Sequence, residues 1–320
     1  MASQAERSFL STLRPATLWR LLVQTFNEWL EDKAPQLGAA LAYYTVFSLA
    51  PLVLVLLAII GVIFREDPNG AWNKMTSQMR YVLDPSGVQV VQDIAKTAAK
   101  PSAGLLATII GIALALFGAS GVFGQLQDAL NTIWGVKAKP GRAIWEFIRV
   151  RFLSFAMVAG ICFLLLVSLA VEAVLKGFSN YIEQVMPGGA ALAFTIYMVV
   201  DLTLVVLLFA MIFRFLPDVQ VQWRDVWVGS FMTAILFLVG KWALGLYLGS
   251  GAAGSAYGAA SSLVTLLLWI YYSSQILLFG AEFTQVYANE CGSGGTPSKH
   301  AVCIEHTVEE VSAPGQPART

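Results

Sequence analysis

Two charged side chains, Asp201 and Lys241, stand inside otherwise apolar runs of this chain. An ionisable group at mid-bilayer depth costs roughly 3 kcal/mol on insertion scales, so each one needs a physical reason. In neighbouring antiparallel helices they differ in depth by about four residues, or about 6 Å at 1.5 Å per residue, which a lysine side chain can bridge. A coupled pair of this kind suits a solute or proton path. A structural ion pair, or a lysine snorkelling outward, accounts for the same residues without transport.

Neutral polar groups gather at two further places. Tyr43, Tyr44 and Ser48 precede Pro51 in one apolar run, where the proline frees the carbonyl near Phe47 and favours a kink. Trp269, Tyr271, Tyr272, Ser273, Ser274 and Gln275 form a belt in another. Five consecutive polar-capable residues cover every face of a helix, so some point inward. Interhelical hydrogen bonds, worth about 1 kcal/mol or less each, are one explanation, and the lining of a wet or lipid-accessible cavity is the other. Arg214 and Glu282, both near span ends, are positioned to pair and guard one mouth of such a path.

Hydrolytic and metal chemistry lack their residues. The two histidines are His300 and His306, both in the polar tail, so no imidazole is available in the apolar body. The run His300-x2-Cys303-x2-His306, with Cys291 upstream, has ligand types but matches no common zinc module. No nucleophile, base and orienting group fall together. The expectation is a protein that is not an enzyme and needs no metal or cofactor.

The elements that carry these residues follow from composition. Of 320 residues, 57% are apolar and 12% charged, about half the charge of an average soluble domain. Crossing a hydrocarbon core of about 30 Å takes about 20 apolar residues as a helix. Six stretches qualify: 37–64, 103–124, 152–175, 189–213, 226–249 and 259–283. The fold class is therefore all-α, a polytopic bundle of six transmembrane helices over 37–289. A cytoplasmic leader spans 1–36, and a Gly/Ser/Pro/Thr-rich tail over 290–320 is expected to be disordered.

Thirteen Lys and Arg flank the spans on the side of the termini and six on the other, which places both termini in the cytoplasm. Residues 16–34 put Leu18, Leu22, Phe26 and Trp29 on one face, as in a helix lying at the membrane interface. In the first external loop, Trp72, Met75, Met79 and Val82 recur at helical spacing, and Asp84-Pro85 starts a second helix bearing Val88, Val91 and Ile94. Twenty basic and twenty acidic residues cancel, so no net field draws the protein to nucleic acid.

Three blocks then stand in order: Leu41-Ala42-Tyr43-Tyr44-Thr45-Val46-Phe47-Ser48-Leu49-Ala50-Pro51; Arg214-Phe215-Leu216-Pro217-Asp218-Val219 with Trp223-Arg224-Asp225; and Tyr257-Gly258-Ala259 leading into Leu268 through Glu282. Over roughly residues 20–290 the chain resembles the YihY/BrkB family of bacterial inner-membrane proteins. The resemblance implies six transmembrane helices, a plasma-membrane location, and links to envelope integrity, serum resistance and transport, including transport of lipids. An older family label, ribonuclease BN, conflicts with the histidine-free body.

Two functions of different class are expected to compete. In the first, the helices enclose a path for a solute or lipid, lined by Tyr43, Tyr44, Ser48, Pro51, Tyr271, Tyr272, Ser274 and Gln275, with Asp201 and Lys241 as its charges. In the second, the protein is a non-transporting scaffold for envelope assembly that docks partners on Trp72, Met75 and Met79. Membrane lipids and envelope proteins are the expected partners in either case. The oligomeric state is left open.

Overall fold

The computed structural model describes residues 15–63, 70, 72, 73, 76, 88, 89, 91–93, 96, 121–138, 189–249, 261–298 and 301–303. Helix α1, Pro15–Glu31, begins with a proline, whose missing N–H costs nothing at a helix start. It ends in a tight turn in which Lys33 adopts a left-handed conformation (φ 54°) and donates its N–H to the Leu30 carbonyl (3.1 Å). Helix α2, Ala34–Ile63, starts directly afterwards with Pro35 in its first turn and runs unbroken through Pro51.

The described stretch 121–133 forms α3, closed by Gly135 at φ 58°, where glycine takes a left-handed cap without strain. Strand β1, Val136–Ala138, follows. Helix α4, Gly189–Phe215, is joined through β2, Val219–Gln220, to α5, Trp223–Gly249. Helix α6, Ser261–Glu290, leads into β3, Thr296–Pro297, and β4, Ala301–Cys303.

Among the described residues, three windows are long and apolar enough to cross a membrane: Met198–Phe215, Trp223–Leu246 and Leu263–Glu290. They fall in α4, α5 and α6, where the sequence places spans. Helix α2 covers the expected first span with 30 residues, about 45 Å of helix. The expected spans 103–124, except for 121–124, and 152–175 lie outside the described residues.

Helix α6 packs against α5, α2 and α1, and α4 packs against α5. A row of aromatic rings crosses three helices: Phe209 of α4 meets Phe237 of α5 at 5.8 Å between centroids, and Phe237 meets Trp269 of α6 at 6.4 Å. Small residues bring α5 and α6 together. A methyl group on Gly229 would overlap Thr284, one on Gly280 would overlap Thr233, and one on Gly240 would overlap the Tyr272 hydroxyl. Both threonines donate to the carbonyl four residues back in their own helix, Thr233 to Gly229 and Thr284 to Gly280, each at 2.7 Å. Their hydroxyls are thus satisfied internally while the side chains fill the notches opposite, the arrangement expected where backbones must approach closely in lipid.

Helix α1 docks on α6 through a different stripe from the one its sequence suggests. Leu21 and Thr25 are fully buried, with Leu21 packing in a cluster with Phe283, Val286 and Tyr287. Leu18 and Phe26 face outward instead, and Trp19, Val23, Phe26 and Leu30 make a second, exposed apolar stripe. The helix is apolar on two sides, so docking uses one and leaves the other free for the interface.

The tail requires a correction. The structure does not leave 290–298 and 301–303 disordered: Val219 and Gln220 of β2 pair antiparallel with Pro297 and Thr296, and Val136–Ala138 of β1 pair with Cys303–Ala301. Composition alone suggested disorder because these strands have no apolar face of their own. Their order comes from backbone partners in the two connections. The remaining tail residues lie outside the described residues.

In the connection expected to form the first external loop, the described positions 70, 72, 73, 76, 88, 89, 91–93 and 96 are helical, with Val88 and Val91 buried and Trp72 half-buried. Met75 and Met79 lie outside the described residues.

Candidate functional site

The polar groups concentrate at the end of the bundle where α4 passes into α5. Asp218, in the turn after α4, is 3% exposed. Its carboxylate accepts from Gln127 Nε2 and Asn131 Nδ2 of α3, both at 3.1 Å, and its backbone N–H donates to Asn131 Oδ1 at 2.8 Å. Its carbonyl accepts the Ser298 N–H at 2.9 Å, which brings in the C-terminal segment. Gln127 and Asn131 stand one turn apart on α3 and so reach the same acceptor. Nearby Asp128 has its carboxyl raised above the ordinary range by partial burial and by the Asp218 charge.

One turn further, Asp225 holds the same C-terminal segment. It accepts the Ser293 N–H at 3.1 Å and the Ser293 hydroxyl at 2.7 Å, and Gly292 lies so close that any side chain there would strike the carboxylate. Arg214, in the last turn of α4, donates to the Val221 carbonyl and lies 5.8 Å from the centre of the Trp223 ring. Trp223 in turn packs against Phe215 and Trp227 at 5.9 and 6.4 Å. Between these parts opens a cavity of about 490 Å³, with Arg214, Trp223, Arg224, Ser293 and Thr296 among its lining.

The expected mouth pair does not form. Glu282 is fully buried on α6, and the charged groups that act on it are Asp32 and Glu28 at the end of α1. Arg214 turns instead to a carbonyl seven residues ahead and to an indole face, because the α4–α5 turn folds back beneath it. A local acceptor thus takes the place of the distant carboxylate.

The expected pathway residues divide among helices α2, α4, α5 and α6. Asp201 and Lys241 are half-buried on the adjoining helices α4 and α5. Tyr43 and Tyr44 are 58% and 43% exposed, with Tyr43 against Phe47 at 4.5 Å. Ser48 is buried and donates to the Thr45 carbonyl at 2.9 Å, and Ser274 donates to the Ile270 carbonyl at 2.8 Å. Tyr271 is half-buried. Tyr272 packs on Gly240 of α5, while Gln275 packs on Gly38 of α2 and donates to the Pro35 carbonyl at 3.4 Å. Packing between helices therefore accounts for Tyr272 and Gln275. The side chain of Pro51 lies outside the described residues.

The sequence analysis has Asp218 and Asp225 only as members of a family block, with no role, and passes over Gln127, Asn131 and Ser293. The available signal was a pair of amides at i and i+4 on α3, matched by an aspartate after a proline. Among the described residues, no group of three or more His, Cys, Asp or Glu is placed to hold a metal.

Long apolar helices with only 22–28% of each spanning window buried define a helical membrane protein, whose outer faces are suited to lipid. The chain belongs to the virulence factor BrkB family, whose model matches residues 25–303 and so ends at the last residue of β4. It is similar to UPF0761 membrane proteins of Azotobacter vinelandii (26% identity over 82% of this chain and 61% of the relative). Those of Pseudomonas paraeruginosa (28%; 80% and 59%) and Verminephrobacter eiseniae (28%; 83% and 62%) are similar too. The chain thus spans about six-tenths of the length of these curated relatives. No solved structure matches it.

Proposed function

We propose that the protein is a six-span inner-membrane protein with both termini in the cytoplasm, and that it moves or handles lipid or a small solute in maintaining the cell envelope. The observation that carries this reading is the placement of two half-buried charged residues, Asp201 and Lys241, on adjoining apolar helices. Ionisable side chains at bilayer depth are costly, and they commonly mark the path of a solute, an ion or a proton. The outward Tyr43 and Tyr44 add polar groups on a lipid-facing surface, as a lateral route for lipid would use. The excess of thirteen over six basic residues on the side of the termini supports the orientation. The reading includes no enzymatic activity, because the body carries no histidine and no nucleophile with its base.

Asp201→Ala and Lys241→Ala, in cells where loss of the protein impairs envelope integrity, test it. Loss of complementation with normal membrane levels is expected of both. Full complementation by both would favour the scaffold reading, in which changes at Trp72, Met75 and Met79 carry the defect instead.

A further inference from the structure

Arg214 and Arg224 both line the cavity at the α4–α5 end, and neither forms an ion pair among the described residues. No carboxylate is among the lining residues. The nearest candidate, Asp225, is 4% exposed and is engaged by the Ser293 N–H and hydroxyl. Two arginines therefore line one open cavity of about 490 Å³ that has no carboxylate among its lining residues.

The donors suit phosphate. Arg214 gives one N–H to Val221 and has others to spare, and Arg224 makes no hydrogen bond among the described residues. Arginine is the side chain whose planar fork matches a phosphate group. The surroundings point to where that phosphate comes from. Phe215, Trp223 and Trp227, between 43% and 50% exposed, form one cluster beside the cavity at the ends of two apolar helices. Exposed indoles at such a level sit among lipid headgroups.

We propose that this cavity binds the phosphate of an anionic phospholipid headgroup, held by Arg214 and Arg224 and flanked by the Phe215–Trp223–Trp227 cluster. The site goes beyond the proposed transport role and does not depend on it. Arg214 lies thirteen residues from Asp201, about 20 Å along α4, and Arg224 seventeen residues from Lys241, about 25 Å along α5.

The test is native mass spectrometry of the full chain in detergent, titrated with phosphatidylglycerol, phosphatidylcholine or inorganic phosphate. Wild type should retain phosphatidylglycerol over phosphatidylcholine. Arg224→Gln should weaken phosphatidylglycerol about fivefold and Arg214→Gln/Arg224→Gln about 30-fold, with phosphatidylcholine unchanged. Arg224→Gln keeps the test independent of folding, since the Arg224 side chain makes no hydrogen bond or ion pair among the described residues. Equal phosphatidylglycerol retention by wild type and Arg224→Gln overturns the proposal. So does arginine-dependent binding of inorganic phosphate without arginine-dependent binding of lipid, which would make the ligand a soluble phosphate. Because Asp201 and Lys241 stay intact here, failure of this site and failure of the transport reading are separate results.

Discussion

Thr284 of α6 sits in the notch that Gly229 leaves on α5, and Thr233 and Gly280 repeat the contact with the two helices exchanged. The indices run in opposite directions, so one antiparallel register is read twice, and Gly240 with Tyr272 extends it. Gly229→Ala should destabilise the folded protein by about 2 kcal/mol, the usual cost of overpacking a filled site. Thr284→Ala in the same chain should recover part of that loss. Unfolding of the two single variants and the double variant in detergent measures the coupling, and strict additivity would mean that the helices do not interlock there.

Asp218→Ala should cost about 3 kcal/mol, because it leaves the amides of Gln127 and Asn131 buried without their acceptor. Replacing all three positions by apolar residues should cost less than the single change. Thermal melts of the two variants decide between a mutually dependent cluster and three independent contacts.

Burial and the neighbouring Asp218 hold the Asp128 carboxyl above its ordinary range. Its contribution to stability is therefore complete below the ordinary carboxylate pKa and is lost as pH rises through the elevated value. Asp128→Asn removes this dependence. Unfolding followed from pH 4 upward, a range of about 3 units, should show the wild type falling relative to the variant. Parallel profiles would refute the account.

Glu282 is sealed against α1 with Asp32 and Glu28 as its acidic neighbours. Glu282→Gln keeps the shape and replaces an acidic group that faces acidic neighbours with a neutral amide, so its melting temperature at neutral pH should not fall. Glu282→Lys, which puts a longer cation into the same closed space, should prevent accumulation in the membrane. A marked loss of stability in Glu282→Gln would show that the carboxylate has an attractive partner.

Ser293→Ala withdraws the hydroxyl that donates to Asp225 and leaves a buried carboxylate with one donor fewer. A loss of about 2 kcal/mol is expected. Proteolysis of the segment after Glu290 should accelerate along with it, since Asp225 is what ties that segment to α5. Unchanged cleavage would mean that the strand pairs suffice to hold the segment.

Much of the helical framework was legible in the sequence, because lipid-spanning helices announce themselves by apolar length. Their ends were less so. Helix α6 runs to Glu290 and α5 begins at Trp223, several residues beyond the apolar runs, since a helix continues into polar sequence where caps and partners permit. The site was less legible still. Asp201 and Lys241 were visible as misplaced charges, but whether they touch depends on helix rotation, which a run of apolar residues on all faces does not encode. The engagement of Arg214 by Val221 depends on a turn folding back, and the pairing of Thr296 with Gln220 joins residues that lie far apart along the chain. Neither leaves a local pattern.

The two strand pairs have a consequence for how the protein is made. β1 and β2 are synthesised long before β4 and β3, so each waits for its partner while the intervening segments emerge. Until then the end of the bundle carries two open backbone edges. A product truncated before Thr296 retains both edges permanently. The order of synthesis is thereby recorded in the molecule, as a seam that closes only once residues 296–303 have emerged.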